Sequence, residues 1–239
     1  MTVRLVDALG INNVIDFART VGIQGGIPRD LTLALGSLSV TPIELALCYS
    51  VFADEGMKAT PIAIKYVIDS KGTVLESNEP EAEEAISPQT AFLITSMMED
   101  VVKYGTGWRA KSLGRPVAAK TGTTNDYRDA WFVGYTSNLL AAVWVGFDDM
   151  RPLGTQETGA RAASPIWVQF MKNVTGEAGE FPVPEGIISR AIDPATGLLL
   201  RDESAGTKEY FKEGTEPKFF APSAPVRRAR EKDTNLNFD

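Results

Sequence analysis

A lysine, two threonines and a glycine stand together at the end of a short apolar segment, in the order Lys120-Thr121-Gly122-Thr123. The segment before them, residues 117–119, is small and apolar and predicts a buried strand, while Gly122 leaves room for a ligand or a second backbone. The ammonium group and the two hydroxyls are donors that bind an anion, and backbone N–H groups add to them if the strand lies at a sheet edge. These residue types predict an anion site or, as the plainer alternative, a strand that leaves the core through a turn.

Histidine is absent from the 239-residue sequence, and Cys48 is its single cysteine. Without histidine, Ser-His-Asp and Cys-His chemistry is excluded, and lysine, aspartate or glutamate remain as bases. Cys48 lies in an apolar helical pattern, and we interpret it as a core residue rather than a nucleophile. Because one cysteine cannot form a disulfide within the chain, cysteine usage does not indicate a compartment.

The composition is that of an ordinary globular protein, with 44% hydrophobic and 23% charged residues. The net charge of -7 argues against nucleic acid as a partner. No pattern of metal ligands or cofactor motif stands out, so we expect no metal and no cofactor. The sequence also contains no signal peptide and no run of 18 apolar residues, and therefore predicts no export signal or membrane span in this chain.

Local signals predict the helices around the Lys-Thr-Gly-Thr segment. Asn12 is interpreted as the cap of a short helix that ends at Gly22. Thr41 and Glu44 flank Pro42 in the spacing of a capping box, which predicts a helix from there to about residue 55. The pair Ser87-Pro88 predicts the start of another helix.

Alternating and β-branched residues predict the strands. Residues 61–69 and 73–76 read as a hairpin, and the glutamate-rich residues 76–84 as a solvated linker. Residues 130–136 and 139–147 follow the Lys-Thr-Gly-Thr strand and predict an antiparallel meander with it.

The longer string from Lys120 to Tyr135, Lys-Thr-Gly-Thr-Thr-Asn-Asp-Tyr-Arg-Asp-Ala-Trp-Phe-Val-Gly-Tyr, resembles the third active-site motif and following strand of the class A penicillin-binding proteins. These are bifunctional peptidoglycan synthases, here of the 1A type, and they share the S-x-x-K, S-D-N and K-T-G motif set of the serine β-lactamases. Leu35-Gly-Ser37 and Thr41-Pro-Ile-Glu44 form a second block of similarity, and the resemblance covers about residues 1–217.

This resemblance implies an α+β fold of the serine β-lactamase and D,D-peptidase type, a mostly antiparallel sheet with packed helices, of which the chain is the C-terminal portion. Residues 1–175 are then expected to form the C-terminal part of a penicillin-binding transpeptidase domain. Residues 176–220 are expected to be a C-terminal extension with short strands, and residues 221–239 a disordered tail.

The resemblance also implies D,D-transpeptidase activity in peptidoglycan cross-linking, with stem peptides ending in D-Ala-D-Ala and β-lactams as ligands. Lys120 is then catalytic, since it holds the electrostatics of the site and hydrogen-bonds the serine of the second motif. Thr121, Gly122 and Thr123 are substrate-binding residues, with both hydroxyls on the terminal carboxylate. The backbone N–H of Thr123 is also catalytic, as one of two oxyanion donors.

Neither Ser-x-x-Lys nor Ser-x-Asn occurs in the sequence. We therefore expect the chain to begin shortly after the second motif and to be inactive without an N-terminal half that carries both motifs. The parent protein is expected at the outer, periplasmic face of the bacterial cytoplasmic membrane. The alternative is a non-catalytic module that binds peptidoglycan peptides or another protein.

Overall fold

The computed structural model describes residues 1–174, 176 and 179–222, so most of the predicted tail over residues 221–239 lies outside the described residues. The chain divides into two compact units, Met1–Gly186 and Ile187–Asp239. The described helices all belong to the first unit: α1 (Thr2–Leu9), α2 (Ile11–Thr20), α3 (Pro42–Ala53), α4 (Pro88–Lys103) and α5 (Ser164–Val174). Among the described residues, none of the helices combines the length and apolar character needed to cross a membrane.

Every strand pair in the described residues is antiparallel. The first unit contains β1 (Met57–Ala59), β2 (Tyr66–Ile68), β3 (Val74–Ser77), β4 (Ala82–Glu84), β5 (Ala118–Thr123), β6 (Asp129–Tyr135) and β7 (Leu140–Gly146), and the second contains β8 (Ile187–Ile192) and β9 (Thr207–Lys212). Strands β1 and β4, β2 and β3, and β8 and β9 form two-stranded sheets. Helices combined with antiparallel sheets confirm the predicted α+β class.

The central sheet of the first unit has three strands in the order β5-β6-β7. Ala118 lies opposite Tyr135 and Thr123 opposite Ala130, which confirms the predicted meander. Strand β5 begins with two fully buried alanines and becomes more exposed toward its end. Its small apolar residues therefore enter the core, and the Lys-Thr-Gly-Thr segment emerges from it.

Trp167 fixes α5 on one face of this sheet. Its side chain has no exposed area, its ring centroid is 5.1 Å from that of Phe132, and its Nε1 donates to the carbonyl of Ala141 at 3.0 Å. Gly134 provides the space, because a Cβ there would lie 3.1 Å from Cζ2 of Trp167 and 2.8 Å from Cβ of Ala119. The packing of α5 thus depends on a missing side chain in β6.

The opposite face of the sheet packs against α4. Tyr135 is fully buried beside Ala118 and Met98. The Tyr135 hydroxyl lies 2.8 Å from Oγ1 of Thr95, which in turn donates to the carbonyl of Ala91 at 2.9 Å. A buried hydroxyl with a partner avoids the cost of an unsatisfied polar group, so this contact specifies how α4 lies on the sheet.

Helix α3 begins with the predicted capping box. Thr41 accepts from the N–H of Glu44 at 3.2 Å, and the Glu44 carboxylate accepts from the N–H of Thr41 at 3.5 Å. The same carboxylate also accepts from the N–H groups of Gln24 and Gly25, at 2.6 and 3.1 Å. These bonds hold the pKa of Glu44 below its usual value, the Gln24 bond most strongly. One side chain therefore connects the start of α3 to the loop that follows α2.

Two local predictions were wrong. The cap of α2 is Gly10, and Asn12 lies inside the helix. The acidic linker is partly a strand, because β4 pairs with β1 and Glu83 forms a 2.8 Å ion pair with Lys58. The first error arises because the helix begins at the backbone of Gly10 and uses no side-chain cap. The second arises because β4 pairs with a segment distant in sequence, which a local pattern does not encode.

Cys48 lies on the buried side of α3, in the same core cluster as Val51 and Ile86. Burial raises the pKa of its thiol to about 11. A thiol with such a pKa remains protonated near neutral pH and is a poor nucleophile. The interpretation of Cys48 as a core residue is confirmed.

Candidate active site

The four predicted site residues, Lys120 to Thr123, are the last four of the six residues of β5. Alternation along the strand places Lys120 and Gly122 on the face of Ala118, toward α4, and places Thr121 and Thr123 on the face of Ala119, toward α5. The side chains of Lys120 and Thr123 are exposed. A ligand that reaches both sets of groups must therefore lie along the edge of the strand.

Strand β5 is an edge strand, and no other strand of the described residues pairs with its outer side. The N–H of Thr124 donates to the carbonyl of Asp129 at 3.1 Å, which identifies these two residues as a hydrogen-bonded pair. In an antiparallel ladder such pairs alternate, so Gly122 and Lys120 also direct their N–H groups toward β6. The N–H groups of Thr121 and Thr123 therefore point to the open edge.

Lys120 lies at this edge, where its Nζ donates to the carbonyl of Thr121 at 2.6 Å. This bond is consistent with the outward N–H of Thr121, because the N–H and the carbonyl of one residue point to the same side of an antiparallel strand. Loss of hydration lowers the pKa of Lys120 below its usual value. A cation that has lost part of its hydration gains more from an anionic partner than a fully solvated one does.

Thr121 has a neighbour that sequence reasoning did not find. Its Oγ1 lies 2.6 Å from Oγ1 of Thr106, and either hydroxyl can be the donor. Thr106 belongs to the loop after α4 and is exposed. A glycine on each side of Thr106 is the only local signal, and it indicates an unusual loop conformation rather than a partner.

Thr123 is held by the segment that leads into α5. Its Oγ1 accepts from the N–H of Gly159 at 3.1 Å. A Cβ on Gly159 would overlap the carbonyl oxygen of Trp131 and would lie 2.6 Å from that of Gly122. Gly159 thus approaches the backbones of β5 and β6 as closely as only glycine can, and nothing in the sequence distinguishes it from other glycines.

We expect Gly159→Ala to destabilise the chain by about 1–3 kcal/mol, the usual cost of forcing extra atoms into a packed site. The clash is with backbone oxygens, so the residue 159–163 turn must move and lose its bond to Thr123. The measurement is urea unfolding. Gly26→Ala is the matched control, because a Cβ there meets nothing within 4 Å and the change should stay within about 0.5 kcal/mol. Equal stability of the two variants would contradict the close approach.

The site combines an ammonium group, two threonine hydroxyls and outward N–H groups at the edge of an antiparallel sheet that is covered by helices on both faces. These groups offer positive charge and hydrogen-bond donors to an anionic ligand along the strand edge. Residues 19–172 match the family model described as penicillin binding protein transpeptidase domain, and residues 183–221 match the penicillin-binding protein 1A C-terminal domain. The chain belongs to the family of penicillin-binding protein transpeptidase domains.

Individual relatives agree with this assignment. The chain is 41% identical to the penicillin-binding protein 1A of Aquifex aeolicus over 90% of its own length and 30% of that protein. The crystal structure of penicillin-binding protein 1A from Haemophilus influenzae superposes with a TM-score of 0.87 and 31% identity, over 92% of this chain and 39% of that one.

A structure of PonA1 from Mycobacterium tuberculosis in complex with penicillin V matches with a TM-score of 0.65 and 27% identity, over 76% of this chain and 55% of that one. The chain spans about a third of the length of the curated relatives it matches. These neighbours confirm the predicted fold, that of the penicillin-binding transpeptidase domains.

Proposed function

We propose that this chain forms the third-motif part of a serine D,D-transpeptidase, which cross-links peptidoglycan by acyl transfer. A serine attacks the penultimate D-Ala carbonyl of a stem peptide, the terminal D-Ala leaves, and the acyl group passes to an amine of a neighbouring strand. The observation that carries the proposal is the open edge of β5, where an ammonium group, two hydroxyls and outward N–H groups occur together. Membership of the transpeptidase family supports it.

Each site residue has a role in this reaction. Lys120 supplies positive charge and hydrogen-bonds the serine of the second motif, and the hydroxyls of Thr121 and Thr123 bind the terminal carboxylate. Gly122 keeps the strand between them free of a side chain, so that the peptide backbone lies against β5. The absence of a side chain also lets β5 lie close to β6, because a Cβ at this position would be only 3.1 Å from Cβ of Trp131.

The N–H of Thr123 is one of the two oxyanion donors in the proposed site. Its outward direction follows from the pairing of β5 with β6 and leaves it available to the developing oxyanion. Removal of one such donor from an enzyme site costs about 2.7–4 kcal/mol of transition-state stabilisation. The hydrogen bond from the N–H of Gly159 to Thr123 Oγ1 also holds Thr123 in place.

The nucleophile has to come from outside these 239 residues, because their sequence contains neither Ser-x-x-Lys nor Ser-x-Asn. We propose that a segment with both motifs packs beside β5, and that the present chain alone does not turn over substrate. The missing motifs also favour the second candidate, a non-catalytic module that binds peptidoglycan peptides or another protein through the same edge.

The proposed partners are the D-Ala-D-Ala end of a stem peptide and the β-lactams that mimic it. The complex of PonA1 with penicillin V supports the second of these. Because the stem peptides are joined outside the cytoplasmic membrane, the proposed place of action is its outer, periplasmic face.

The test is release of D-Ala from a stem peptide by the intact transpeptidase that contains these residues together with both missing motifs. We expect release that penicillin abolishes. Absence of both D-Ala release and penicillin labelling in that protein, together with retained binding of the stem peptide, would favour the non-catalytic module.

A further inference from the structure

The loop that follows α4 brings one hydroxyl to the candidate site from outside β5. Oγ1 of Thr106 lies 2.6 Å from Oγ1 of Thr121, although the two residues are on different elements. Both oxygens are at the accessible end of the strand, since Thr106 is exposed and Thr121 is half-buried. The contact therefore joins a loop to the strand at the place where a ligand would bind.

The backbone around Thr106 is held by α4. The N–H groups of Gly105 and Gly107 both donate to the carbonyl of Val101, at 3.1 and 2.9 Å. A Cβ on Gly105 would lie 2.9 Å from that carbonyl oxygen, and one on Gly107 would lie 3.2 Å from it. The loop can close on the end of α4 in this way because both neighbours of Thr106 lack a side chain, and Thr106 is thereby fixed in position.

The chemistry of hydroxyl groups gives the contact a direction. A threonine hydroxyl has one proton to donate and two lone pairs that accept. A carboxylate is an acceptor only, so a Thr121 hydroxyl that binds a carboxylate must use its proton for that bond. At 2.6 Å the Thr106 hydroxyl must then be the donor to Thr121.

We propose that Thr106 is a positioning residue for carboxylate recognition, which donates to Thr121 and so directs the Thr121 proton toward the ligand. This inference rests on the proposed function, in which Thr121 binds the terminal carboxylate of the peptide. Donation into Thr121 Oγ1 also polarises its O–H bond and makes Thr121 a stronger donor. In this proposal Thr106 acts only through Thr121 and contacts neither the scissile bond nor the carboxylate.

A purely structural role would give a different result. If the pair of hydroxyls only fastened the loop to β5, loss of the Thr106 hydroxyl would lower stability and would slow every substrate alike. If Thr106 acts through Thr121, the loss depends on the negative charge at the end of the substrate. Peptides that end in D-Ala-D-Ala, compared with the same peptides ending in a carboxamide, separate these two cases.

The experiment measures kcat and KM for release of the last residue from both peptides by the intact transpeptidase and by T106V, T106S and T60V. T106V keeps the shape and removes the hydroxyl, and T106S restores it. T60V is the matched control, since Thr60 is exposed and lies beside β1 and β4, far along the chain from the site. Thermal unfolding of each variant is recorded alongside.

We expect T106V to lower kcat/KM about tenfold on the carboxylate peptide and less than twofold on the carboxamide, with T106S within threefold of wild type and T60V unchanged. Equal losses on the two peptides, or no loss on either, would overturn the inference while leaving the proposed function intact. A wild-type enzyme that releases the last residue from neither peptide would overturn both.

Discussion

Replacement of Lys120 by alanine in the intact transpeptidase is expected to slow acylation by penicillin by on the order of 10²–10³-fold, the usual effect of removing one electrostatic group from a preorganised site. The reason is its place at the open edge of β5, where partial loss of hydration lowers its pKa and leaves the ammonium ready for an anionic partner. The measurement is the second-order rate of labelling by a fluorescent penicillin.

Lys71→Ala is the matched control for this experiment. Lys71 lies in the turn between β2 and β3, where it is exposed and where its N–H donates to Asp69 Oδ1 at 2.8 Å. That bond uses the backbone and survives the substitution, so we expect the labelling rate to remain within twofold of wild type. Equal rates in the two alanine variants would mean that Lys120 has no part in acylation.

The second large effect concerns covalent labelling by penicillin, which we expect to be absent rather than slowed. The 239-residue chain alone is expected to form no covalent adduct with penicillin, because its sequence lacks the serine of Ser-x-x-Lys. Thr121 and Thr123 are close to Lys120 along β5, but a nucleophilic hydroxyl needs a base within hydrogen-bond reach. The Nζ of Lys120 bonds a carbonyl oxygen instead, and Thr123 Oγ1 accepts from a backbone N–H.

Intact-mass measurement after incubation with penicillin checks this expectation. The intact transpeptidase, treated in the same way, serves as the positive control and should gain the mass of one penicillin. An added mass on the 239-residue chain that maps to one of its own serines or threonines would refute the proposed division of the active site between two segments.

Short-range signals in the sequence predicted much of the frame around the site. The capping box at Thr41 and Glu44 gave the start of α3, and Ser87-Pro88 gave the start of α4. The Lys-Thr-Gly-Thr segment and its meander also follow from local alternation, because each strand is joined to the next by a short turn. Such features depend on residues a few positions apart, which a linear pattern can show.

The parts that sequence reasoning missed depend on residues far apart in the chain. Thr106 and Thr121 meet only because α4 packs on the sheet, and Gly159 meets Thr123 only because Trp167 fixes α5 on the opposite face. The pairing of β1 with β4 likewise joins two strands that are separated in sequence by the β2–β3 hairpin. Without other sequences to compare, neither the threonine in the loop nor the glycine before α5 differs from its many equivalents.

The carboxylate of Glu44 has a consequence for the response of the chain to acid. It accepts from Gln24 and Gly25 as well as closing the cap of α3, so protonation would weaken the loop and the start of the helix together. Because its pKa is lowered in the folded chain, this contribution to stability is present above the ordinary glutamate pKa and is lost as the pH falls through the lowered one. The protection of the Gln24 and Gly25 amides against hydrogen exchange, measured relative to their intrinsic rates at each pH, should therefore fall over that pH range. Unchanged protection there after Glu44 is protonated would show that the loop has other support.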